Sequence, residues 1–332
     1  MGYLKSKSPS RIVVRGPNFV GDSILALPFY QSLRRHFTDS SITLIATPAS
    51  AELSKSFECF DAIWSLADRS SAEVWAMARK VKTSDFSLSI SLPSSVSAAM
   101  LFFLARVPTR VGWAETLAAP FYTDVLHWKG RASGAHKSDL YLELLELLVV
   151  RGMLPKIPAT PAAPPPASSD YLVFAPTASI ELREWPHATQ CISLLRKKYP
   201  ELRIKVLGTG NEERWAATLG TLADDKVENH IGKTSLAEAV EICRNAQAVV
   251  AMDSGMAHLA GTLAQAPTVV VFGPGDPAYI APRGPSVYLV RREGLLCSPC
   301  EKAVCQAPYG YQVCLKELTP APVVAAVEKI LG

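Results

Sequence analysis

The chain has 332 residues, enough for two ordinary domains with separate cores. Hydrophobic residues make up 48% and charged residues 19%, which excludes a disordered chain. The net charge of +4 comes from dispersed basic residues with no long basic tract, so no nucleic-acid partner is expected.

Two small basic clusters, Lys5, Lys7 and Arg11, then Arg34, Arg35 and His36, read as solvated surface or as contacts to anionic lipid or a phosphorylated acceptor. Apolar runs such as AAMLFFLA and LLELLVV are far shorter than the roughly 20 residues of a membrane span. The first ten residues lack an apolar signal core, and a cytoplasmic protein is expected.

From Arg11 to about Arg110, strand and helix patterns alternate. RIVVR (11–15) reads as a strand and DSILALPFYQSLRRHF (22–37) as one helix. Strands follow at 41–47, 61–66 and 86–92, with helices at 71–81 and 94–105 between or after them. A longer helix, about 138–151, closes this half. Pro then recurs at 155, 158, 161, 164, 165 and 166, which excludes regular helix and inner strand. The stretch 157–169 reads as a linker between a domain at 1–156 and one at 170–332.

The second half repeats the alternation: strand 171–176, helix 187–199, strand 203–208, helices 211–223 and 235–246, strand 248–253, helix 254–264 and strand 267–274. The expected class is α/β, with two doubly wound, Rossmann-like domains facing each other. Ligands in such sheets sit beyond the carboxyl ends of the strands, and here in the cleft between domains.

Four strand-end segments carry the chemistry. In RGPNFVGDSILALP, Asp22 reads either as a helix cap or as a base at the mouth of the sheet. In AMDSGMAHLAG, a buried strand runs into Asp253, and Ser254 and Gly255 open a helix whose free N–H groups suit an anion. His258 follows one turn later on the same face, within reach of a phosphate or sugar hydroxyl, or else satisfied in the core. In FAPTASIELREWP, Thr177 and Ser179 offer hydroxyls, and Arg183 offers a guanidinium that can grip a diphosphate in two places. In VLGTGNEERW, Glu212 and Glu213 suit the helix dipole, or one of them a ribose diol. The loop VFGPGDP brings backbone close to a ligand, with Asp276 a ligand or an Asx turn.

Taken together, RGPNFVGD, LREWP, MDSGMAHLAG, VFGPGDP and the Cys-bearing tail before LTPAPVVAAVEKIL resemble the ADP-heptose:lipopolysaccharide heptosyltransferase family, and the first motif its heptosyltransferase II branch. The resemblance spans nearly the whole chain. It implies a GT-B fold and an inverting transfer from ADP-L-glycero-D-manno-heptose to the lipid A-linked inner-core oligosaccharide, giving the second heptose. The site would be the inner face of the cytoplasmic membrane, with the enzyme bound peripherally. It implies Asp22 as general base, and Asp253, Ser254, Gly255 and His258 on the donor's sugar and diphosphate. Glu212 would meet the ribose or adenine, with Glu213 the alternative. Thr177 joins the donor-binding set. Arg183 stands where the family usually carries Lys, which keeps the charge and changes its shape. No Asp-x-Asp pair occurs, in keeping with metal-independent transfer, and no cofactor is expected. A related transferase with another nucleotide-sugar donor, and a non-catalytic nucleotide-sugar-binding protein, are the competing readings.

Cys59, Cys191 and Cys243 lie singly in apolar or helical surroundings and read as small core residues. Cys297, Cys300, Cys305 and Cys314 cluster in the tail. Four thiolates can hold a structural zinc, although the spacing of the second pair is loose; reduced free thiols and disulfides are the other readings.

Overall fold

The computed structural model describes residues 9–68, 70–114, 117–150, 169–210 and 212–332, leaving aside the side chains of residues 149, 150 and 212. The chain divides into two compact units, residues 1–160 and 161–332. The expected linker lies outside the described residues apart from Ser169.

The first unit runs β1 (Arg11–Arg15), α1 (Val20–Leu25), α2 (Leu27–His36), β2 (Ser41–Ala46), α3 (Pro48–Ser54), β3 (Ala62–Ser65), α4 (Ser71–Lys82), β4 (Leu88–Ser91), α5 (Val96–Leu104), β5 (Thr109–Ala114), β6 (Asp124–His127) and α6 (Lys137–Val150). The strands form a parallel sheet ordered β3-β2-β1-β4-β5-β6. Ile12, Val13 and Val14 of β1 are completely buried, as a strand covered on both faces requires.

The second unit runs β7 (Tyr171–Ala175), α7 (Ala188–Lys198), β8 (Arg203–Val206), α8 (Glu212–Gly220), β9 (Val227–Asn229), α9 (Leu236–Asn245), β10 (Val249–Met252), α10 (Gly255–His258), β11 (Thr268–Phe272), α11 (Pro277–Ile280), β12 (Val287–Arg291), α12 (Val313–Lys316) and α13 (Pro320–Leu331). Its parallel sheet is ordered β12-β11-β10-β7-β8-β9. Counted from its own first strand, this is the same doubly wound order as in the first unit. In both, strand order reverses beside the first strand, the place where such sheets bind ligands.

Two elements differ from their sequence pattern. The single helix expected over 22–37 breaks at Ala26 into α1 and α2, with Pro28 in the first turn of α2. In a continuous helix Pro28 would lack its N–H and press its ring on the carbonyl of Ile24. The helix expected over 254–264 is four residues of α10 followed by a π-turn, Leu259–Leu263. There Gly261 presses its carbonyl so close to Gly284 that a Cβ on Gly284 would lie 1.8 Å from that oxygen. Of the basic clusters, Arg34 is taken up internally. It donates to the carbonyls of Cys59 (3.1 Å) and Ser40 (2.9 Å) and pairs with Asp61.

The second unit's core extends into the C-terminal tail: Leu315, Val323 and Val327 are completely buried with Phe174, Trp185, Ile192 and Val250. α13 and the Cys-bearing tail are thus structural parts of the unit.

Candidate active site

In the first unit, the loop after β1 is held from inside. The buried Arg15 guanidinium donates to the Gly16 carbonyl and to Asn18 Oδ1 (2.6 Å), and Thr47 Oγ1 donates to the Asn18 carbonyl (3.0 Å). A Cβ on Gly16 would meet the Tyr30 hydroxyl at 2.9 Å, so this position needs glycine for close approach.

Asp22 follows as the third residue of α1. It is not the cap: the N-cap is Phe19, which has no side-chain cap. Its carboxylate is instead held from α6, where Lys137 Nζ donates to Oδ1 at 2.8 Å. Among the described residues, Asp22 Oδ2 has no protein hydrogen bond. The side chain keeps 24% of its exposure. The exposed Phe19 ring stands one turn before it.

In the second unit, β7 and β10 are neighbours, with Ala175 opposite Ala251. Thr177 and Asp253 therefore leave the sheet at the same level, two residues beyond that pair. Both are buried, Asp253 to 3% exposure. Arg183, from the loop after β7, pairs with Asp253 Oδ2 at 3.2 Å. Among the described residues, the buried Nε of Arg183 and the buried hydroxyl of Ser254 have no protein hydrogen-bond partner. Ser254 stands at the N-cap of α10 without capping it, so the hydroxyl is not used by the helix. Gly255 opens α10 and His258 closes it, buried. With only four α-helical residues, the dipole here is short, and the side chains carry more of the charge than a long helix pattern implies.

Thr177 serves the neighbouring loop. Its Oγ1 accepts from the Thr209 N–H (3.3 Å), and a Cβ on Gly208 would lie 2.2 Å from that oxygen. Glu212 begins α8, but its side chain lies outside the described residues, and Glu213 is exposed. Asp276 takes the Asx role, accepting from the Ala278 N–H (3.1 Å) to cap α11. Gly275 is the closest approach in the site: a Cβ there would overlap Asp253 Oδ2 at 2.0 Å.

The tail braces these loops, and sequence reasoning missed this. Gln312 Nε2 donates to the Leu182 (3.0 Å) and Glu184 (2.8 Å) carbonyls on either side of Arg183. Trp185 Nε1 donates to the Leu318 carbonyl (2.8 Å). Ser298 Oγ donates to Gly273 O (2.8 Å), and the N–H groups of Cys300 and Glu301 to Pro274 O (2.9 and 2.8 Å). A lone Gln in a Cys-bearing tail carried no signal of this.

Among the described residues, no group of three or more His, Cys, Asp or Glu is placed to hold a metal ion. Cys314 is buried with the core and Cys305 Sγ accepts from the Gln312 N–H at 3.2 Å, so packing and backbone claim those thiols. All seven cysteines are free thiols. Burial, with the neighbouring Cys300, Cys297 and Cys305 adding to it, pushes the Cys314 thiol up to about 11.

A groove of about 260 Å³ lies between α7 and α8, lined by Glu184, Trp185, Arg214, Trp215, Tyr311 and Gln312 among others. Thr177, Arg183, Asp253, Ser254 and His258 do not line it, so the groove is not the site the strand ends build.

Residues 74–309 match glycosyltransferase family 9 (heptosyltransferase). Lipooligosaccharide heptosyltransferase 2 of Haemophilus influenzae is 23% identical, the alignment covering 97% of this chain and 99% of that protein. The solved structure of Escherichia coli ADP-heptose lps heptosyltransferase II superposes with a TM-score of 0.76 at 19% identity, over 97% of this chain and 98% of that one. An E. coli heptosyltransferase solved with ADP-2-deoxy-2-fluoro heptose gives 0.72 at 22% identity, over 96% and 99%. Likeness over this length fixes the fold as the GT-B architecture of these enzymes. With the family matched across more than half of its length, the chain belongs to glycosyltransferase family 9, the heptosyltransferases.

Proposed function

We propose that this enzyme transfers heptose from ADP-L-glycero-D-manno-heptose to the lipid A-linked inner core of lipopolysaccharide, adding the second heptose with inversion. One observation carries the donor half: Arg183 Nε and Ser254 Oγ are buried donors with no protein acceptor among the described residues, beside the Arg183–Asp253 pair. Unsatisfied buried donors are costly, and a diphosphate supplies the acceptors they lack. The relatives' ADP-heptose names and the matched family favour heptose over another nucleotide sugar.

In the proposed reaction Asp22 Oδ2 takes the proton of the acceptor hydroxyl. The oxygen attacks the anomeric carbon from the face opposite the diphosphate, the new C–O bond forms, and the bond to the diphosphate oxygen breaks. ADP leaves with that electron pair. Arg183, Ser254 Oγ and His258 answer the growing negative charge, and Asp253 orients Arg183 and the heptose hydroxyls. Thr177 and Gly255 shape the donor loops, and Glu212 takes the ribose or adenine. Arg183 supplies the charge that a metal provides in transferases with an Asp-x-Asp pair, which this chain lacks. An acceptor anchored in lipid places the reaction at a membrane surface; among the described residues no helix is long and apolar enough to cross a membrane.

The test is ADP release from ADP-heptose with a heptosyl-Kdo acceptor. Wild type turns over, and Asp22→Ala loses at least about 10²-fold in kcat while binding ADP normally. Equal turnover in both removes the base role. Turnover with a different nucleotide sugar alone replaces the donor assignment.

A further inference from the structure

We propose that Lys137 is a positioning residue for the transfer: it fixes the Asp22 carboxylate so that Oδ2 alone faces the acceptor hydroxyl. The inference rests on reading Asp22 as the base. Its basis is the contact between Lys137 Nζ and Asp22 Oδ1 at 2.8 Å, joining residues 115 apart in sequence.

Three features set this pair apart from an ordinary surface ion pair. Both side chains are half-buried, at 16% and 24% exposure, so solvent and salt screen the pair less than one on the open surface. Lys137 is the first residue of α6, where the helix dipole disfavours a cation. Local helix preference therefore does not explain a lysine at this position, whereas a carboxylate facing it does. Finally, the contact engages one carboxylate oxygen and leaves the other without a protein partner among the described residues. A carboxylate turns about its last bond in a broad, two-fold well, so either oxygen can otherwise present itself at shifting angles. A lysine on Oδ1 selects one orientation, and general-base catalysis depends on that geometry before anything else.

The arrangement separates two roles for the lysine. A lysine that binds the anionic acceptor acts on KM. A lysine that acts through Asp22 acts on kcat and has no effect once Asp22 is gone. The experiment compares Lys137→Met, Lys137→Arg, Asp22→Ala and the double variant Asp22→Ala/Lys137→Met. Its readouts are ADP release with ADP-heptose and a heptosyl-Kdo acceptor, ADP affinity, and circular-dichroism melts.

Lys137→Met is expected to lower kcat about 10- to 100-fold, with acceptor KM and ADP affinity within about twofold of wild type. Lys137→Arg, which restores a donor on Oδ1, recovers most of the loss. The double variant is no slower than Asp22→Ala, because one residue works through the other. A raised acceptor KM with intact kcat overturns the proposal, as does multiplication of the two single losses in the double variant. Wild-type activity in Lys137→Met with a dead Asp22→Ala overturns positioning and leaves the base standing. Wild-type activity in Asp22→Ala removes the base reading itself. If Lys137→Met does not fold, Lys137→Gln takes its place in the same comparison.

Discussion

Substituting Gly275 by Ala adds one methyl group at the tightest point of the candidate site. That Cβ would sit 2.0 Å from Asp253 Oδ2, where ordinary contact begins at 3.4 Å. The obstacle is a buried carboxylate tied to Arg183, so relief requires it to retreat by about 1 Å or more. Lengthening the 3.2 Å ion pair by that distance removes roughly 1 kcal/mol at an effective dielectric of about 20. Forcing a methyl into a packed site adds about 1–3 kcal/mol. The sum, about 2–4 kcal/mol, corresponds in a unit of this size to a fall in melting temperature of roughly 5–10 °C. Because the same carboxylate orients Arg183, ADP affinity measured by calorimetry falls at least about tenfold. Gly220→Ala is the control: the glycine ends α8 with nothing within 4 Å of its would-be Cβ, so Ala leaves stability level or raises it by up to about 1 kcal/mol. A Gly275→Ala protein that melts with wild type and binds ADP equally refutes the reasoning.

Removing the Gln312 side-chain amide by Gln312→Ala leaves the Leu182 and Glu184 carbonyls without that donor. It costs about 1–3 kcal/mol of stability and raises donor KM while leaving acceptor KM in place, as steady-state kinetics would register. Burial pushes the Cys191 and Cys243 thiols from 9.0 up to about 12. Above pH 9 the unfolded chain loses these protons and the folded one keeps them, so stability falls as pH rises from 9 towards 12 and is unaffected by them below 9. Each thiol contributes about 1.4 kcal/mol per pH unit across that window, and denaturant titrations of Cys191→Ala/Cys243→Ala should show a flatter alkaline decline. In native protein a thiol reagent should label Cys297 and Cys300 well before Cys191 and Cys243, which react only on unfolding.

The sheet strands with continuous apolar runs, β1, β2, β7, β10 and β11, were legible because burial on both faces demands such runs. The outer strands β6, β9 and β12 were not: β6 and β9 are short and only partly buried, and β12 leaves Tyr288 and Leu289 exposed. The break at Ala26 was written in Pro28 and overridden by the apolar period around it. At the site, the strand-end loops stood out by their Gly, Pro and acidic residues, because close backbone approach and turns restrict composition. Lys137 and Gln312 did not stand out. Each acts across more than 100 residues of chain, on a partner that only the tertiary fold brings near. A donor reaching across such a distance leaves no spacing to read.

Asp22 illustrates how a residue with two plausible roles is separated by geometry. A cap would hold the first N–H groups of α1, and its loss would be a loss of helix stability of about 1 kcal/mol or more. The N-cap position belongs to Phe19, and the carboxylate instead meets Lys137. Removing it by Asp22→Ala therefore takes away one half-buried ion pair and a favourable position in the dipole, together about 1–2 kcal/mol, partly offset by the better helix propensity of Ala. For a unit of this size the melting temperature should fall by no more than about 5 °C. Turnover, by contrast, should fall at least about 10²-fold. If the melting curve drops by 10 °C or more while the residual folded enzyme keeps its kcat, the carboxylate is a structural group after all. If the two effects separate as the contacts require, the fold gains little from Asp22, and its place in the first turn of α1 is explained by the proton it removes.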